Sequence, residues 1–158
     1  MALVAHEISM TTDENAPGPR ARLFDPARTV AFMLAGNAHV TFQSERTGTR
    51  FTYRIQMCRS GGGAPSHFVA VLTRPDSYEY LGCIFRSAVY THGRKSRIAP
   101  SAPSAVAFTW IWSHLTAGKM HPELGVWHEG RCGRCGRRLT DPMSIATGLG
   151  PKCRGSDS

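Results

Sequence analysis

His128, Cys132, Cys135 and Cys153 follow one another with the spacing H-x3-C-x2-C-x17-C. Thiolate and imidazole are the ligands that tetrahedral structural zinc prefers. In Cys132-Gly133-Arg134-Cys135-Gly136 the two glycines let the backbone turn without a Cβ in the way, so both sulfurs can face one ion. A C-x2-C pair alone is shared by several chemistries. A third cysteine at finger-like distance, with a histidine close by, points to metal, and the set predicts one structural Zn2+. The competing reading is a reduced, unligated pair. His128 leads as the fourth ligand; His121, His114 and Cys83 are the non-local alternatives.

Vacancy decides what such a metal can do. A catalytic zinc keeps one position for water, whereas three cysteines and one histidine fill all four. Zinc deaminases set a glutamate two residues after the histidine, followed later by P-C-x-x-C. Here Glu129 follows His128 directly and the cysteine pair comes too soon, so that frame does not fit. No P-loop, G-x-S-x-G or dinucleotide-binding turn is present. No catalytic residue is therefore assigned, and no small-molecule substrate is expected.

Two sets of cations could hold an acidic partner. Arg131, Arg134, Arg137, Arg138 and Lys152 surround the cysteines. They suit phosphate contacts, but three thiolates around one Zn2+ leave a net negative site that nearby cations would balance in any case. Arg86, Arg94, Lys95 and Arg97 lie in a stretch from Phe85 to Lys119 that has no acid, beside Tyr90 and His92. That stretch equally suits a solvated loop. The formal net charge of +8 and pI of about 9.8 favour nucleic acid or an acidic protein face.

The elements that must carry these residues are those of a small mixed domain. With 158 residues and 41% apolar content, the chain can bury a core of its own. Residues 1–24 read as a flexible tail. Asp25 and Pro26 open a short helix that Gly36-Asn37 ends. Ala38, Val40 and Phe42, then Phe51, Tyr53, Ile55 and Met57, alternate on either side of a turn with Gly48, which predicts a β-hairpin. "CRSGGGAPS" reads as a loop. "HFVAVLT" and "YEYLGCIFR" read as a second hairpin across "RPDS", and the basic stretch after it as loop with one short strand at most.

Pro103 opens an amphipathic helix of about four turns with Phe108, Ile111, Trp112 and Leu115 on one stripe. Its two tryptophans, Trp110 and Trp112, are both assigned to the core. Ser144 is read as the cap of a short helix that precedes Cys153. The expected fold is α+β: an antiparallel sheet of about four strands with one main packed helix at 25–120, then a zinc-knuckle or treble-clef-like module at 121–158. No apolar run approaches the ~20 residues of a membrane span, and the start lacks the pattern of a signal peptide. Five cysteines, one C-x2-C pair among them, suit metal in a cytoplasmic setting better than disulfides. Cys58 and Cys83 have no assigned function.

The stretch "CGRCGRRLTDPMSIATGLGPKC" resembles the C-G-x-C-G-R-x-L-T-D-P-x-S-I-x-x-G-x-G-P-x-C signature of a zinc-ribbon-like family of unknown function found in phage, prophage and plasmid proteins. Upstream, "FMLAGNAHVTFQSERTGTRFTYRI", "YLGCIF" and "KSRIAPSAPSAVAFTWIW" resemble the module that often precedes it. The resemblance implies a mobile-element origin and metal binding at His128, Cys132, Cys135 and Cys153. The expected function is that of a non-catalytic, zinc-binding phage-type accessory protein in the host cytoplasm, engaging nucleic acid or a nucleic-acid-processing complex. An anti-defence inhibitor of the anti-CRISPR type, docked on a host nuclease, is the alternative. A zinc-dependent hydrolase is the third, and an open zinc position would favour it.

Overall fold

Asp25 accepts a hydrogen bond from the backbone N–H of Arg28 at 2.8 Å and caps α1, Pro26–Met33, whose first position is proline. The computed structural model describes residues 21–58, 65–85 and 88–155. Residues 1–20, most of the glycine-rich loop and Arg86 therefore lie outside the described residues.

The alternating apolar pattern becomes β2, Asn37–Ser44, and β3, Arg50–Cys58. Their register opposes Ala38 to Ile55, Val40 to Tyr53 and Phe42 to Phe51, so each inward residue meets an inward residue. Gly48, at φ +77°, lets the turn close. The second hairpin, β4 (Ser66–Arg74) and β5 (Ser77–Ile84), turns through Asp76 and carries two register shifts. β6, Tyr90–His92, adds to β5.

The sheet is mixed with helices as expected but larger: among the described residues it has seven strands in the order β1-β7-β2-β3-β4-β5-β6, every pair antiparallel. Two of the additional strands flank the β2–α2 region in sequence. β1 is Ala21–Arg22, and Leu23 beside it is 2% exposed, so these residues belong to the sheet and its core rather than to a tail. β7, Leu124–His128, lies between β1 and β2.

α2, Pro103–Thr116, packs on one face of the sheet together with α1. Phe108 is fully buried, with its ring 5.0 Å from Tyr53 and 4.8 Å from Tyr90. The Tyr53 hydroxyl donates to the Ser104 carbonyl, and the Trp112 indole to the Ala88 carbonyl. Trp112 is in the core, but Trp110 is 41% exposed and lies against His114 and His121. Residues two apart on a helix point to opposite sides, so one stripe could not bury both. Two short helices end the described chain: α3, Pro142–Thr147, and α4, Pro151–Gly155. Among the described residues, no helix is long and apolar enough to cross a membrane.

Candidate metal centre

Cys132 and Cys135 sit on a tight turn that leaves β7. The turn closes through a bridge between Arg131 and Arg138, with Cys132 N–H donating to the Arg137 carbonyl and Gly136 N–H to the Cys132 carbonyl. Asn37 N–H donates to the Gly133 carbonyl at 2.6 Å, and Gly133 N–H to the Gly148 carbonyl at 2.9 Å, so the turn is fixed to β2 on one side and to the end of α3 on the other. Both glycines are needed here. A Cβ on Gly133 would meet the Phe32 ring at 2.7 Å and one on Gly148 at 2.5 Å, and Gly148 also has φ +77°.

α3 and α4 deliver the third cysteine. Asp141, not Ser144, caps α3, accepting from both the N–H and the hydroxyl of Ser144, with Pro142 next in the first position. The Asp-Pro pair carries the start signal, and Ser144 is instead a fully buried residue of the first turn. Arg154 donates to the Ser144 hydroxyl at 2.7 Å and to the Leu149 carbonyl at 3.0 Å, and its guanidinium lies 3.9 Å from Asp141. These contacts tie the two short helices together and set Cys153 over the cysteine turn.

The three sulfurs lie within 4.8 Å of one another. A tetrahedral ion with Zn–S bonds of about 2.3 Å separates its sulfurs by roughly 3.8 Å, so small side-chain adjustments bring this set onto one metal. Cys132 is buried, Cys153 half-buried and Cys135 exposed. Arg134 N–H and Gly150 N–H donate to the Cys132 sulfur at 3.4 and 3.3 Å. Burial pushes the Cys132 thiol up. Backbone donors from Cys135, Gly150 and Arg134, with a hydrogen bond from Cys153, outweigh burial and bring it down to about 7. Burial, hydrogen bonds and repulsion from the other two sulfurs push the Cys153 thiol up. A bound metal must displace the proton that Cys153 holds.

The structure does not bring His128 to the sulfurs. Its side chain alternates with Val126 into the core and is fully buried. One ring nitrogen, Nδ1, accepts from Gly130 N–H at 3.0 Å, and Nε2 donates to the Ile145 carbonyl at 2.6 Å. Both are engaged, and burial holds the imidazole below its usual pKa. The alternatives are placed elsewhere as well. His114 donates to the Trp110 carbonyl, His121 accepts from Glu123 N–H, and Cys83 is buried in β5. Among the described residues, no further His, Cys, Asp or Glu joins the three cysteines.

The buried neutral imidazole makes stability depend on pH. Its folded pKa lies below the unfolded value of about 6.5, so the unfolded chain takes up more protons in acid. Stability should be full above pH ~6.5 and fall as pH drops below it. His128→Ala should cost about 1–3 kcal/mol for each orphaned partner, Gly130 N–H and the Ile145 carbonyl, flatten this slope, and leave metal stoichiometry intact. Denaturant titrations at several pH values check it. Parallel slopes for the two proteins would reject the buried-imidazole role, and loss of the metal would return His128 to the ligand set.

A cavity of about 480 Å3 opens beside Cys135 and Cys153, bordered by Arg137, Arg138, Asp141 and Lys152. Arg134, Arg137, Arg138 and Lys152 are exposed, whereas Arg131 is half-buried and donates to the Gly136 carbonyl. Arg94, Lys95 and Arg97 are exposed on the loop after β6. Glu129 accepts from the Thr41 hydroxyl at 2.7 Å. The Asp141–Arg154 pairing and the Phe32 floor were not read from the sequence; the Asp-Pro dipeptide was the one available signal.

A family model described as a family of unknown function (DUF6011) matches residues 124–156. The match runs from β7 through all three cysteines to α4. No curated protein and no solved structure matches the chain.

Proposed function

We propose that this is a non-catalytic, zinc-stapled accessory protein that binds nucleic acid. The observation that supports it is the rim of exposed Arg137, Arg138 and Lys152 around the cavity beside Cys135 and Cys153. Three soft thiolates close enough to share one ion favour zinc over the harder cations. Three thiolates exceed the charge of the ion, so a water in the fourth position is less acidified than one on neutral imidazoles. The nearby carboxylates already have structural partners: Asp141 caps α3 and Glu129 holds Thr41. Both points favour a staple over a hydrolase. The resemblance to phage and prophage sequences fits a role on a mobile element.

Affinity for short oligonucleotides should fall steeply with salt, because each neutralised phosphate releases counterions. Replacing Arg137, Arg138 and Lys152 with glutamine should flatten the slope of log affinity against log salt by roughly 0.7–0.9 per lost contact. Absence of oligonucleotide binding, with a salt-resistant complex on a host nuclease, would instead support the inhibitor reading.

A further inference from the structure

Among the described residues, the helices pack on the core face of the sheet, and the large exposed side chains of β4 and β5 lie on the other. Residues directly opposite across antiparallel strands share a face. Arg54 opposes Ala70, which opposes Tyr80; Gln56 opposes Phe68. These rows point away from Tyr53, Ile55 and Val69, which lie in the core. Phe68 is 46% exposed and Tyr80 37%, with their rings 6.0 Å apart and perpendicular. The Arg54 guanidinium lies 4.6 Å from the Tyr78 ring centroid, and its buried Nε has no hydrogen-bond partner among the described residues. Together with Arg94 and Lys95, these side chains line a shallow cavity of about 550 Å3.

The two exposed cations are held there by the backbone. Gly93 N–H donates to the Leu81 carbonyl, and the Ser96 hydroxyl to the Tyr80 carbonyl at 2.7 Å. A Cβ on Gly93 would meet the Tyr80 ring at 2.4 Å, so only glycine lets this loop press against the aromatic. Exposed rings beside fixed cations match a strand whose bases are free to stack and whose phosphates need neutralising. A duplex hides its base faces and would leave Phe68 and Tyr80 without a role.

We propose that the open sheet face is a platform for single-stranded nucleic acid, with bases stacking on Phe68 and Tyr80 and phosphates held by Arg94 and Lys95. This deepens the nucleic-acid reading above and rests on it. Arg54, stacked on Tyr78, adds a third cation to the lining of the cavity.

The test uses the full chain with 12-nucleotide oligothymidylate and oligouridylate and a duplex of equal length. Single strands should bind more tightly than duplex. Phe68→Leu and Tyr80→Leu, which keep apolar bulk but remove the ring, should each weaken single-strand binding roughly 5- to 150-fold with unchanged thermal unfolding. Arg94→Gln with Lys95→Gln should lower the salt slope by about 0.7 per lost contact. Val106→Ser, on exposed α2 surface, should change nothing. Equal or tighter duplex binding overturns the platform. So does single-strand binding that ignores Phe68 and Tyr80 but weakens when Arg137, Arg138 and Lys152 are replaced, an outcome that leaves the broader nucleic-acid reading standing. No binding to any probe, or an acidic protein captured on this face instead, overturns both.

Discussion

Cys132→Ser, or a strong chelator, should unravel residues 130–155 while the sheet and α2 stay folded. Those residues have little apolar interior of their own: Leu139 is their one fully buried aliphatic side chain among the described residues. One buried leucine contributes only about 1.5–3 kcal/mol. A structural zinc site contributes roughly 10–16 kcal/mol of apparent binding free energy in small finger peptides, several times as much. The break should come after β7 and not before it, because β7 is hydrogen-bonded to β1 and β2. Hydrogen exchange with and without metal locates it. Full protection of residues 130–155 in metal-free protein would show that the cysteines do not staple the fold. Metal content should fall from about one ion per chain in parallel.

Phe32→Ala should be the most damaging single apolar truncation, at about 3–5 kcal/mol for a buried phenylalanine. Phe32 is fully buried, its ring is 6.0 Å from that of His128, and Gly133 and Gly148 press upon it. It is at once the last turn of α1 and the floor of the cysteine turn. The variant should therefore lose stability and also hold its metal less tightly, while still binding one ion. Gly148→Ala approaches the same contact from above, adding a methyl into the ring and a left-handed strain of about 1–2 kcal/mol. Denaturant unfolding alongside competitive metal titration measures both. A loss below about 1 kcal/mol for Phe32→Ala, or unchanged metal affinity, would show that α1 and the cysteine turn are independent.

Local pattern carried much of the fold. Period-two alternation identified β2 and β3, the apolar stripe identified α2, and the C-x2-C pair with Cys153 identified the thiolate cluster. What escaped depended on distant neighbours. β1 is two residues long, too short for any period. β7 does alternate, with Leu124, Val126 and His128 inward, but two of its five positions are glycine and histidine. Its proximity to Cys132 then suggested ligation where the strand period demands burial. The same gap hid the open face. Phe68, Tyr78 and Tyr80 were legible as strand residues, yet their meeting with Arg94 and Lys95 depends on the β4–β5 register shifts and the Gly93 approach.

The place of β7 bears on how the chain is made. Val40 pairs with His128 and Ser44 with Leu124, so β2 meets its second neighbour only after the residues up to 128 have left the ribosome. Until then one side of β2 is an unpaired edge, the kind of surface that recruits other strands. Contacts this far apart in sequence also close slowly. A nascent chain stalled before residue 124 should present that bare edge to chaperones or to its own copies, and emergence of residues 124–153 should seal it by strand insertion and bring the three cysteines together in one late event.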